Sequence, residues 1–198
     1  MTTHPHLRRR ARGQRGATLV EFAFVVPLLL LLAFGTAEMG LAWVSNNRVE
    51  GSVSTAARIA SSSGSLPEAD ANVLKSLRAS LPQEQLNRLD RVVIFNSTAA
   101  NGSVPAGCIK PLGSILQNGV NGLCNTYTGA TVRGTLGSTM GTLDDYWAPT
   151  SRNDRLADPP DYVGVWVRTT HGSKTGTFYD DMTITKVSIY RIQPDIDG

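Results

Sequence analysis

The chain has 198 residues and a formal net charge of +3, with 41% hydrophobic and 18% charged residues. These proportions exclude an acidic or polyampholyte disordered protein, and the length allows one modest domain with an appendage. The excess positive charge is confined to an N-terminal arm, because the other 182 residues carry 14 basic and 16 acidic side chains. The arm contains Arg8, Arg9, Arg10, Arg12 and Arg15. This distribution removes nucleic acid from the expected partners.

A long apolar run follows the basic arm. Between Phe22 and Val44 the only charged residue is Glu38. A helix over this run reaches about 34 Å, which suffices to cross a hydrocarbon core of about 30 Å. A buried soluble helix would need partners on every side of five consecutive leucines, and the polar remainder of the chain does not offer them. We therefore predict one membrane-spanning helix, and the arginine excess before it predicts a cytoplasmic N-terminus with everything after Val44 outside.

Three kinds of N-terminal signal fit this arrangement: a cleaved secretory signal, an uncleaved signal anchor and a prepilin-type signal. The small residues of Gly35–Ala37 would suit a signal peptidase. Glu21 counts against that cleavage, because a carboxylate beside an apolar run is costly in a membrane. Cleavage after Gly16 would instead place Glu21 fifth in the mature chain, behind a free amino group on Ala17. In a stack of subunits Glu21 could pair with the Ala17 ammonium of a neighbour, which offsets both desolvation costs.

One pattern extends from Arg15 to Gly40. It combines a glycine at the cleavage position, a glutamate within a short apolar motif, a proline inside the apolar run, and a later group of small and acidic residues. These are Gly16, Val20-Glu21-Phe22, Pro27, Gly35, Glu38 and Gly40. The pattern resembles the N-terminal signature of TadE-like minor pseudopilins, and the resemblance covers about residues 15–60.

This resemblance implies a component of a tight-adherence (Tad/Flp) pilus machine, a relative of type IV pilus and type II secretion systems. It implies processing by a dedicated aspartic prepilin peptidase. The implied partners are that peptidase, other pilins or pseudopilins, and the platform proteins of the inner membrane. No cofactor is implied.

Four small residues of the apolar run recur at four-residue spacing, as the pairs Ala33/Ala37 and Thr36/Gly40. Such spacing would let another helix approach closely, although small residues are also simply common in membrane helices. Pro27 is tolerated in a membrane helix and predicts a kink there.

The sequence divides into four parts. Residues 1–16 are the basic leader, 17–60 the transmembrane and extended N-terminal helix, 61–65 a linker rich in serine, and 66–198 an extracytoplasmic head. Apolar residues spaced by three and four beyond the membrane segment continue the helix, which would be about 66 Å long.

The head is predicted to be α+β, with an antiparallel sheet of three or four strands packed on a helix. A helix begins at Pro67-Glu68 and ends before Pro82. Strands are predicted over 91–96, 162–168 and 182–190, the last two joined as a hairpin across 171–176. The glycine-, asparagine- and serine-rich stretch 97–158 is expected to form long loops.

Cys108 and Cys124 both lie in the predicted loop region. An extracytoplasmic location permits a disulfide, and two cysteines allow one intrachain pairing. Two free thiols or an intersubunit bridge are the alternatives. A zinc site is disfavoured because His4 and His6 belong to the leader and His171 is solitary.

The sequence contains little that indicates catalysis. A serine–histidine–aspartate set would have to be built around His171, without a nucleophile elbow. The pairs Asp144-Asp145 and Asp180-Asp181 lack the spacing of a calcium loop and are expected in surface turns. We therefore expect a non-enzymatic protein without metal or cofactor: a pseudopilin-like assembly subunit, or a membrane-anchored extracytoplasmic binding domain that does not polymerise.

Overall fold

The computed structural model describes residues 14–109, 118–155, 158–174, 176 and 180–194. The chain divides into two compact units, Met1–Leu41 and Ala42–Gly198, and the boundary falls within helix α1 (Gln14–Ser63). Among the described residues α1 is the one helix long and apolar enough to cross a membrane, and its most apolar window of 18 residues is not buried. An apolar helix that the described chain leaves uncovered agrees with the predicted membrane segment.

Helix α1 extends three residues beyond the predicted end at Ala60 and includes the first part of the predicted linker. It stops at Ser63 because Gly64 adopts a φ of +52°, the left-handed conformation that commonly terminates helices. A Cβ at position 64 would lie 3.2 Å from Oδ2 of Asp154, so the backbone there also passes close to a neighbouring segment.

Two short helices follow. Helix α2 (Ala69–Ser80) buries Val73, Leu74 and Leu77, the apolar stripe that predicted it, and α3 (Gln83–Asn87) comes directly after Pro82. Leu81 between them is extended, as expected for a residue that precedes proline.

The head contains one antiparallel sheet of five strands in the order β2-β3-β1-β4-β5. The strands are β1 (Leu89–Asn96), β2 (Gly119–Val120), β3 (Cys124–Thr128), β4 (Tyr162–His171) and β5 (Met182–Arg191). Helix α4 (Gly129–Arg133) follows β3, and three single turns of 3-10 helix lie between α4 and β4. The α+β class is confirmed, and the β4–β5 hairpin pairs from Tyr162 opposite Arg191 to His171 opposite Met182.

The predicted number of three or four strands was too low, because β2 and β3 lie in the stretch expected to be loops. β2 has only two residues, and the first four residues of β3 are all buried. β3 therefore has none of the polar–apolar alternation by which a half-buried strand is recognised.

Alternate residues of the central strand β1 enter two apolar clusters on opposite faces of the sheet. Val92 and Ile94 join the larger cluster, which also contains buried residues of α1 and α2. Val93 and Phe95 join a smaller cluster on the other face. Gly164 in β4 makes room for it, because a Cβ there would lie 2.2 Å from Cζ of Phe95.

Candidate functional site

The predicted cleavage position lies at the beginning of α1. The helix starts at Gln14, and both Gly16 and Ala17 are exposed in its first turn, where backbone N–H groups lack intrahelical partners. A Cβ built at position 16 would meet nothing within 4 Å. No contact with a described residue therefore accounts for glycine at position 16.

Glu21 lies one helical turn after Ala17 and is exposed. It makes no hydrogen bond or salt bridge to another described residue. Its neighbours Val20 and Phe22 are 59% and 66% exposed. This carboxylate, which has no polar partner among the described residues, is therefore surrounded by exposed apolar side chains.

That apolar surface extends along most of the helix. All the large apolar side chains from Leu19 to Val44 except Val26 are 45–79% exposed. Contiguous apolar patches of this size mark membrane or protein contacts. Pro27 lies inside this stretch and the helix continues through it. Because proline has no N–H, the Ala23 carbonyl lacks its usual helical donor, which is the condition for the predicted kink.

The four predicted helix-packing residues, Ala33, Thr36, Ala37 and Gly40, are all exposed. The Thr36 hydroxyl donates to the Leu32 carbonyl oxygen at 2.9 Å, so this polar group is satisfied within the helix. A Cβ at Gly40 would meet nothing within 4 Å. Glycine in a helix costs up to about 1 kcal/mol relative to alanine. No contact with a described residue offsets that cost at Gly40, whereas a closely approaching second helix would.

Cys108 and Cys124 form an intrachain disulfide with their Cα atoms 6.4 Å apart. This confirms the expected pairing over two free thiols or an intersubunit bridge. Both cysteines are buried in the smaller apolar cluster with Phe95 and Trp166. The disulfide therefore links the segment that follows β1 and contains Cys108 to strand β3.

A buried polar cluster joins distant segments of the head, and the sequence analysis missed it. Asp70 of α2 accepts hydrogen bonds from Asn125 and Tyr127 of β3, each at 2.7 Å, and forms a fully buried ion pair with Arg152. The Arg152 guanidinium also lies over the Trp147 ring, 4.3 Å from its centre. Burial raises the pKa of Tyr127 well above its ordinary value, and the Asp70 carboxylate adds to this rise. No local signal could have found this cluster, because its members are as far as 82 residues apart.

His171 is buried, and neither of its ring nitrogens has a hydrogen-bond partner among the described residues. A general base needs its second nitrogen oriented by another group, and the described part of the chain supplies no such group to His171. The described residues contain no group of three or more histidine, cysteine, aspartate or glutamate side chains that could hold a metal ion.

The two aspartate pairs have different surroundings. Asp144 is buried and accepts a hydrogen bond from the Met140 N–H at 3.2 Å, and burial raises its pKa. Asp145 is exposed beside it. In the second pair, Asp181 forms an ion pair with Arg88 at 2.6 Å. Neither pair is arranged as a calcium loop.

Comparison with known proteins locates the resemblance in α1. Residues 16–58 match the family model of TadE-like proteins. No curated protein matches the chain, and no solved structure matches it. The match includes Gly16, Glu21, Pro27 and Gly40, and it ends before the sheet of the head.

Proposed function

We propose that this chain, whose first helix is TadE-like, is a minor pseudopilin-like structural or assembly subunit of a Tad (Flp) type IV-like pilus. It is processed after Gly16 and held in the membrane by α1 before assembly. The carrying observation is that Glu21, without a partner among the described residues, projects from an exposed apolar helix that matches the TadE-like family model.

The energetics of Glu21 support this proposal. An unpaired carboxylate within a membrane costs a few kcal/mol, according to its depth. Cleavage after Gly16 creates an ammonium group on Ala17, and a neighbouring subunit can bring it to Glu21. Two buried charges that pair cost less than two that stay separate. Assembly thereby stabilises a residue that is unfavourable in the isolated subunit.

The proposed topology has a cytoplasmic N-terminus, a single pass through the membrane, and the head on the extracytoplasmic side. The arginines before α1 support this orientation. The Cys108–Cys124 disulfide supports it independently, because disulfides form and persist in oxidising compartments. The proposed partners are a prepilin peptidase, other pilins or pseudopilins, and the inner-membrane platform of the pilus.

Processing is tested by N-terminal sequencing of protein isolated from the native host, in parallel with the Gly16→Ala variant. We expect the mature chain to begin at Ala17 and Gly16→Ala to abolish cleavage. Gly51→Ala is the matched control, because a Cβ at either position meets nothing within 4 Å and both glycines lie in α1. Gly51→Ala should be processed normally, which separates recognition by the peptidase from an effect on the helix.

Assembly is tested with Glu21→Gln, which removes the charge and keeps the size of the side chain. We expect normal cleavage but loss of the subunit from sheared pilus preparations, with Glu68→Gln in the head as the control. A native chain that starts at Met1 or at Glu38 would contradict the proposal. It would support the alternative of a single-pass anchored binding domain that does not polymerise.

A further inference from the structure

Three cations line one surface cleft of the head. Lys75 and Arg78 project from α2 and Arg133 from the end of α4, and together they border a cavity of about 690 Å³. Ala79 and Leu136 contribute apolar surface to the same cavity. Lys75 and Arg78 are three residues apart and so share a helix face, a spacing visible in the sequence. Arg133 joins them only through tertiary structure.

Backbone carbonyl oxygens hold both arginines in place. Nη1 of Arg78 donates to the Gly134 oxygen at 2.6 Å. Nη1 of Arg133 donates to the oxygens of Leu86 at 2.9 Å and Asn87 at 3.2 Å. Each guanidinium has five N–H donors, so these contacts fix its position and leave donors for a ligand.

The three cations have no acidic partner within the described chain. None of the ion pairs among the described residues includes Lys75, Arg78 or Arg133. By contrast, Arg88 and Arg168 each pair with an aspartate. The cleft therefore concentrates positive charge on a part of the chain that, after residue 16, has more acidic than basic side chains. An anionic ligand would offset the repulsion between these like charges.

We propose that this cleft binds an acidic polypeptide segment of a partner protein, with carboxylates on the cations and an apolar side chain against Ala79 and Leu136. One feature favours a peptide over the headgroups of a lipid surface. Apolar surface from Ala79 and Leu136 lies directly beside the three cations, so that one short segment can place carboxylates and an apolar side chain in the same cleft. The proposal concerns the head and does not depend on cleavage after Gly16.

The test uses the full chain in an uncharged detergent and a fluorescent peptide that alternates three aspartates with two leucines. Fluorescence anisotropy at low ionic strength should show saturable binding that weakens as salt is added. Lys75→Glu should lower the affinity at least tenfold. Lys75 is exposed and makes no hydrogen bond or ion pair with another described residue, so this variant should fold like the unmodified chain. Arg78→Gln should lower the affinity as a second, independent substitution.

Arg191→Glu is the matched control, because Arg191 is also exposed but lies on β5 and outside the cleft. It should change the affinity less than twofold. Equal binding of an asparagine–leucine peptide, or unchanged binding by Lys75→Glu and Arg78→Gln, would overturn the proposal. So would Lys75-dependent binding of water-soluble dihexanoyl phosphatidylglycerol without binding of the acidic peptide, since that result assigns the cleft to a lipid headgroup.

Discussion

For some residues of this chain the surroundings can be predicted from the local sequence, and for others they cannot. Gly16 and Glu21 can be identified from the sequence as candidate functional residues, because a small residue and a carboxylate border an apolar run. Asp70 does not, since its surroundings consist of Tyr127 and Arg152, which tertiary structure brings to it. A local sequence pattern can predict the role of a residue that depends on its neighbours along the chain. Whether a charge can be buried depends on partners that only the complete fold brings to it.

The Tyr127 hydroxyl links this buried cluster to alkaline stability. Tyr127 retains its proton in the folded head to a higher pH than in the unfolded chain, because burial raises its pKa. Above about pH 10, the ordinary tyrosine pKa, the folded state therefore binds more protons, and the free energy of unfolding falls as pH rises. We expect Tyr127→Phe to remove this part of the alkaline decline.

At neutral pH Tyr127→Phe should lower the free energy of unfolding by about 1.5–3 kcal/mol, because the hydrogen bond to the Asp70 carboxylate is lost. Urea unfolding between pH 7 and pH 11 measures both effects. The control is Tyr162→Phe, because Tyr162 is 47% exposed. If the free energy of unfolding fell equally steeply with pH in Tyr127→Phe and in the unmodified chain, the alkaline decline could not be attributed to Tyr127.

Whole elements were predictable where one periodicity persists over many residues. Helix α1 and the strands β4 and β5 carry such patterns, and each lies close to its predicted range. β3 does not, because Asn125 is buried like its apolar neighbours. Its side chain donates to Asp70 and to the Trp147 carbonyl, and these bonds offset the cost of burying the amide. A polar residue satisfied in this way cannot be distinguished from a loop residue in the sequence.

The disulfide should determine much of the stability of the segment before β3. Replacing both Cys108 and Cys124 by alanine releases a closed loop whose ends are 16 residues apart, and should cost about 3 kcal/mol in the chain-entropy account. Thermal unfolding with and without a reductant measures this loss. The reductant should lower the Tm of the unmodified chain and leave that of the double variant unchanged. A further drop in the double variant would show that the reductant acts elsewhere.

At the scale of the whole molecule, the formal net charge of +3 is the sum of a basic N-terminal arm and a slightly acidic remainder. The five arginines of the arm are the proposed determinant of orientation, and the remainder of the chain has an excess of two acidic side chains. The net charge of the whole chain therefore conceals a basic arm and a remainder with an excess of acidic side chains.

Replacing the five arm arginines by glutamine should lower the fraction of chains whose head is exported. Maleimide labelling after acid quenching and denaturation of whole cells can measure this fraction, because an exported head has Cys108 and Cys124 oxidised, whereas a retained head keeps two free thiols that are buried until the chain is denatured. Arg48→Gln, on the other side of the apolar run, should not reduce export. Unchanged oxidation in the five-fold variant would reject the proposed role of the arm.

The strand order determines when each strand of the head can meet its neighbours during synthesis and the proposed export. β1 is flanked by β3 and β4, yet about 65 residues separate its last residue from the first residue of β4. At a synthesis rate of roughly 5–20 residues per second, β1 waits about 3–13 s for that neighbour. During this interval the central strand has an unpaired edge, which is prone to pairing with other chains. On the proposed topology, a chaperone that shields the edge of β1 would therefore have its greatest effect before the β4–β5 hairpin emerges.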